Sequence, residues 1–162
     1  MYAIFVFMAL VAAGPAQAQQ RDQALKYSFR VEIEGIGQGF FREVSGLGVE
    51  TEVVEYRDGN TNDIRKLPGR TGWSDIVLKR GFRGGTELYE WATTYARTGN
   101  LVRRSGAITM IDANGHQIAR WQFERGWPLK WGGPDFDASK NEVALETLVI
   151  AHEGLTLADE PR

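Results

Sequence analysis

The chain has 162 residues, 43% of them hydrophobic and 25% charged, with a formal net charge of -2. That length suits one domain with a core of its own, the composition is that of a folded chain, and the near-neutral balance argues against a nucleic-acid-binding domain. The absence of cysteine excludes disulfides, thiolate metal sites and thiol catalysis. Nineteen glycines among many short apolar runs point to a turn-rich β protein.

Residues 1–20, MYAIFVFMALVAAGPAQAQQ, stand apart from the rest of the chain because they carry no charged side chain. Ala3 to Ala13 has the length of a signal-peptide apolar region, Pro15 breaks it, and Ala16-Gln17-Ala18 has the small-x-small pattern of a cleavage site. The run is too short to span a membrane as a helix. The charge-poor start, Met1-Tyr2, equally fits an extension that signals nothing. Residues 1–20 are therefore expected to add nothing to the fold, 21–26 to be a polar segment, 27–157 to form one domain and 158–162 a tail.

Tyr27, Phe29, Val31 and Ile33 alternate with Ser28, Arg30, Glu32 and Glu34, the period of a strand with one buried face, and Gly35 ends it. A second strand region follows Gly37 and Gly39, with a bend expected at Ser45-Gly46-Leu47-Gly48. Arg57 to Gly72 reads as a long loop or extended arm, and Ile76 to Lys79 as the next strand. Gly84-Gly85-Thr86 opens the one convincing helix. Its apolar stripe is Leu88, Trp91, Ala92 and Tyr95, Glu87 and Glu90 favour its N-terminal end, and Gly99-Asn100 stops it. Ala107 to Ile111 and Gln117 to Phe123 flank Asn114-Gly115, a strong hairpin signal. Trp127 to Asp137 reads as a turn-rich connection. In Asn141 to His152 an alternating strand puts Val143, Leu145, Thr147 and Val149 on one face. One amphipathic helix on such a set of strands must lie against a sheet.

Chemistry is scarce in this inventory. His116 and His152 lack metal-ligand spacing, and His116, just after a hairpin glycine, is expected to be exposed. Glu50 and Glu52 share one strand face, which is open to paired-carboxylate catalysis but is also what any solvated strand presents. Ser45 sits outside a nucleophile elbow. The stretch RKLPGRTGWSDIVLKRG, residues 65–81, is basic and glycine-rich, yet Gly69 and Gly72 are too close for a P-loop. No Gly-Lys-Ser/Thr follows them, and the next element is a strand. No cofactor motif is present, and the dispersed tryptophans read as core and interface anchors.

Several segments, in this order, resemble the inner tail tube proteins of contractile-tailed phages and of phage-derived extracellular contractile injection systems. They are EVSGL (43–47), VVEYRDG (53–59), RKLPG (65–69), LKRG (78–81), ARWQF with GWPLKW (119–131), and NEVALETLVIAHEGL (141–155). The resemblance covers about Tyr27 to Leu155. It implies a mainly β fold: a barrel-like or sandwiched antiparallel sheet with one packed helix and a long loop or hairpin arm.

It also implies a structural, non-enzymatic subunit that forms stacked hexameric rings inside a sheath. Its partners would be further copies of itself, sheath and baseplate proteins, and DNA or effector proteins passing through the lumen, with no stable membrane partner. Assembly would take place in the host cytoplasm, and a working signal peptide would redirect the chain to secretion. Subunit contacts are expected from Arg57, Arg65, Lys66, Pro68, Gly69, Arg70 and Trp73, with carboxylate partners Glu50, Glu52, Asp135 and Asp137 on a neighbouring subunit. The competing reading is a secreted single-domain β-barrel that binds a small ligand.

Overall fold

A computed structural model describes residues 27–57, 59, 63–134 and 144–158. In chain order the elements are β1 (Ser28–Ile33), β2 (Gly37–Phe41), β3 (Glu43–Ser45), β4 (Val49–Arg57), β5 (Ile64–Trp73) and β6 (Ile76–Gly81). They continue with α1 (Glu87–Thr98), β7 (Arg104–Ile111), β8 (Gln117–Gly132), β9 (Leu145–Ala151) and β10 (Gly154–Ala158). The body is one antiparallel ladder in the order β2-β1-β7-β8-β9-β6-β3, with β10 on β8, while β4 and β5 pair only with each other.

The ladder begins and ends on one bent strand. β2 runs through Arg42 into β3, and the Arg42 amide donates to the Lys79 carbonyl at 2.9 Å. The strands thus wrap into a barrel-like body. β8 is long enough to serve both halves: its first part pairs with β7 and β10, its second with β9. The bend between the halves falls at Arg125, which takes a positive φ of 53°, next to the buried Gly126.

The interior is filled by side chains. Ile76, Leu78, Ile108 and Ile150 are fully buried, with Val31, Phe123 and Leu148 at 1% exposure. Each such side chain stabilises the fold by about 1.5–3 kcal/mol. A small-ligand barrel needs a hollow interior, and this one is packed. α1 adds Leu88 and Trp91 to the same core, and the Trp91 indole N–H donates to the Val102 carbonyl at 2.9 Å. Gly99, with φ of 69°, ends the helix and donates to the Tyr95 carbonyl. Tyr95 itself is 59% exposed, so the fourth member of the expected stripe faces away from the core.

Further expectations need correction. Of the two readings of Arg57 to Gly72, the extended arm holds and the loop does not, because Ile64–Trp73 is a strand paired with β4. Pro68 is accommodated there because β5 pairs on one side only and the register slips between Thr51 and Val53. The expected turn-rich connection begins later than Trp127, since β8 continues to Gly132. On β9 Leu145, Thr147 and Val149 share one face, the inward one is Glu146, Leu148 and Ile150, and Val143 lies outside the described residues. Glu146 is tolerated inside because Arg80 of β6 reaches it, Nε to Oε1 at 2.5 Å, and the Trp131 indole donates to Oε2 at 3.3 Å.

The β7–β8 connection is also wider than a two-residue turn. The Asp112 amide donates to the His116 carbonyl at 2.9 Å, so the loop spans the residues between them. The Asp112 carboxylate accepts from the His116 and Asn114 amides at 2.8 and 2.9 Å, and His116 is exposed. The His116 amide bond above all holds the Asp112 carboxyl below its ordinary value. A depressed folded-state value contributes stability above the unfolded one, which is lost as pH falls through the folded one. The melting-temperature gap between wild type and Asp112→Ala is therefore expected at neutral pH and should close below the carboxylate range. A gap that persists in strong acid would show that the turn works without the charge.

Gly46 prepares the exit to β4. Its φ is 81°, and a Cβ there would fall on the Asp75 carbonyl oxygen. Gly46→Ala is expected to cost more than about 1 kcal/mol, from the left-handed backbone alone. Thermal unfolding checks it, and an unchanged transition would contradict the close approach.

Candidate assembly surface

The sequence-predicted contact residues converge on one element. Arg57, Arg65, Lys66, Pro68, Gly69, Arg70, Trp73, Glu50 and Glu52 all lie on the β4–β5 ribbon, while Asp135 and Asp137 lie outside the described residues. Every residue of β4 is exposed, and so is every residue of β5 except Gly69. The ribbon is an arm that leaves the body.

Cross-strand register assigns its two faces, because directly opposed residues point the same way. Val49 with Trp73, Thr51 with Thr71, Val53 with Pro68, Glu55 with Lys66, and Arg57 with Ile64 form one face. Glu50 with Gly72, Val54 with Leu67, and Tyr56 with Arg65 form the other, which Glu52 joins by alternation. A Cβ placed on Gly69 would meet Glu52 and Val54 of this second face. Both faces mix charge with large apolar side chains. Val53 is 61% exposed, and Val49, Val54, Tyr56, Ile64, Leu67 and Trp73 are also exposed.

The root of the arm is held and its length is not. The Thr51 and Thr71 hydroxyls meet at 2.9 Å, and the Ser74 amide donates to the Gly48 carbonyl at 3.0 Å. His152, between β9 and β10, places Nε2 3.0 Å from the Ser74 carbonyl and stacks obliquely near Trp73, with ring centroids 6.1 Å apart. Beyond the root, no hydrogen bond or ion pair among the described residues ties the ribbon to the body.

Glu50 and Glu52 therefore belong to the arm itself, where they share with Arg70 and Trp73 the rim of an open hollow of about 420 Å³. Their strand face is part of the ribbon and not of the barrel. Reasoning from sequence misses the apolar side chains of the arm and the His152 contact at its root. Val53-Val54 and Ile64 with Leu67 are the available signal, since apolar residues on both faces of a ribbon leave no solvent face. Among the described residues no group of three or more His, Cys, Asp and Glu could hold a metal ion, and no helix is long and apolar enough to cross a membrane.

The molecule is a side-chain-filled barrel carrying a two-stranded arm with exposed apolar side chains. The chain belongs to the T4-like virus tail tube protein gp19 family, whose model matches residues 25–156. It is similar to a chain in the PVC sheath-tube complex of an extracellular contractile injection system in its extended state. Identity is 25%, covering 91% of this chain and 99% of that one, with a TM-score of 0.71. A chain in the tube-terminating cap of the anti-feeding prophage is 27% identical, covering 85% and 90%, with a TM-score of 0.68. Hcp1 from Flavobacterium johnsoniae shares the fold at 19% identity, covering 80% and 94%, with a TM-score of 0.52. No curated protein matches the chain. The protein is thus a tail tube protein, a structural component of a phage tail or of a contractile injection particle.

Proposed function

We propose that the chain assembles into hexameric rings that stack into a hollow tube, with the β4–β5 arm reaching a neighbouring subunit. The exposed apolar arm carries this reading, because a ribbon with large apolar side chains on both faces is a liability unless another chain covers it. Free sheet edges support it as well. Among the described residues no strand pairs with the outer edge of β2 or of β10, the two ends of the five-strand run β2-β1-β7-β8-β10. Head-to-tail pairing of such edges generates rings when the rotation closes.

The tube would sit inside a sheath and on a baseplate, as the similarity to chains in a sheath-tube complex and in the anti-feeding prophage baseplate supports. Its lumen would pass DNA or effector proteins without catalysis, and assembly would take place in the producing cell's cytoplasm. Analytical ultracentrifugation should show species of six times 18.1 kDa and multiples of that ring. A monomer alone at high concentration would overturn the proposal.

A further inference from the structure

The arm joins the body through two short linkers, residues 46–48 and 74–75. Among the described residues one side-chain hydrogen bond ties these linkers to the rest of the body, and it comes from His152. This histidine stands half-buried in the β9–β10 turn, and both of its ring nitrogens face carbonyl oxygens. Nδ1 lies 3.0 Å from the Gly154 oxygen and Nε2 3.0 Å from the Ser74 oxygen. A backbone carbonyl only accepts. Neutral imidazole carries one N–H, so it satisfies one of these contacts and turns a lone pair toward the other oxygen, whereas the imidazolium donates to both.

The surroundings leave the two carbonyls as its polar partners. Trp73 of β5 and Phe123 of β8 lie beside the ring, with centroids 6.1 and 6.5 Å away, and neither titrates. The nearest charged groups along these segments are Arg70 of β5, Asp75 after Ser74, Glu124 and Arg125 of β8, and Glu153 beside the histidine. Glu153 is taken by Arg103 and Arg125, each at 2.5 Å, and Glu124 points by alternation to the other face of β8 from Phe123. The acceptors of the ring among the described residues are the two carbonyls and no carboxylate.

We propose that His152 is a proton-operated latch that sets the stance of the arm. With its second ring proton, the imidazole bridges the β9–β10 turn to Ser74 and fixes the root at a third point besides the two linkers. Without that proton one of the two bonds is lost, whichever nitrogen keeps its hydrogen, so the bridge opens and the arm swings on its linkers. The latch is closed on the acid side of the range in which imidazole changes charge and is released as pH rises through it. Its consequence for assembly rests on the reading that the arm reaches a neighbour. A preset arm lowers the ordering cost of association, and tubes should form more readily at about pH 5 than at about pH 8.

His116 and His152 are the two histidines of the chain and cysteine is absent, so both probes of the latch are selective. Nitrogen NMR of the dilute, unassembled subunit should show two ring protons on His152 at about pH 5, exchanging with water far more slowly than those of the exposed His116, and one at about pH 8. Nitroxides on Glu55→Cys of the arm and Gln117→Cys of the body should report one distance at the acid pH and a broad spread at the alkaline one. His152→Gln should give the broad spread at both. Ring protons on His152 that exchange as fast as those of His116 would overturn the latch and leave the tube reading intact. So would a distance profile that ignores pH, or one that keeps its pH dependence in His152→Gln. A working latch with tube formation indifferent to pH would instead overturn the arm as the contact between subunits.

Discussion

Arg80→Ala is expected to lower the melting temperature by on the order of 10 °C. Glu146 is 2% exposed, and its partners are the Arg80 guanidinium and the Trp131 indole. Among the described residues, removing Arg80 leaves the buried carboxylate with one neutral donor, and breaking such a pair from one side costs about 3–5 kcal/mol. Arg80 is itself 22% exposed, so water reaches part of the pair and the lower end applies. The guanidinium also lies 5.3 Å from the Phe41 ring centroid, and truncation removes that cation–π attraction too. Arg80→Leu with Glu146→Leu should recover much of the loss, because an apolar pair leaves no unpaired charge. Thermal unfolding of the single and double variants separates the cases. A double variant no more stable than Arg80→Ala would show that volume, and not charge, governs the site.

Arg65→Ala, Lys66→Ala and Arg70→Ala together are expected to leave the body folded and to shorten or abolish tubes. All three positions are exposed on the arm, and no hydrogen bond or ion pair among the described residues ties them to the body. The thermal transition of the unassembled subunit should therefore stay where it is. Each exposed pair with a neighbouring carboxylate contributes about 0.2–1 kcal/mol, but the pairing repeats in every subunit of every ring. Raised salt should weaken wild-type stacking in the same direction, since screening acts on the same pairs. Tubes of normal length and salt resistance from the triple variant, seen by negative-stain microscopy, would remove these cations from assembly.

Much of the body is legible in the sequence because its signals are local. The alternation from Tyr27 to Ile33 and the α1 stripe with its glycine stop each depend on near neighbours. The face of β9 is not legible, because apolar residues fill both parities from Leu145 to Ile150, and Glu146 is paired inside with Arg80, 66 positions away. The arm is legible as a basic, polar projection. Its pairing is hidden by Pro68 and Gly69, which read as a turn but sit on a ribbon with a register slip. The placement of Glu50 and Glu52 on that same ribbon follows from the β4–β5 pairing, which their i, i+2 spacing does not reveal.

The proposed function stands or falls on self-assembly through the arm, and a three-dimensional reconstruction of the purified assembled protein by electron microscopy bears on it without intermediaries. Six-fold rings stacked into a hollow tube are expected, with the β4–β5 ribbon of each subunit lying across another subunit. Particles in which the ribbon folds back onto its own barrel, or fields of isolated monomers at high concentration, would contradict it.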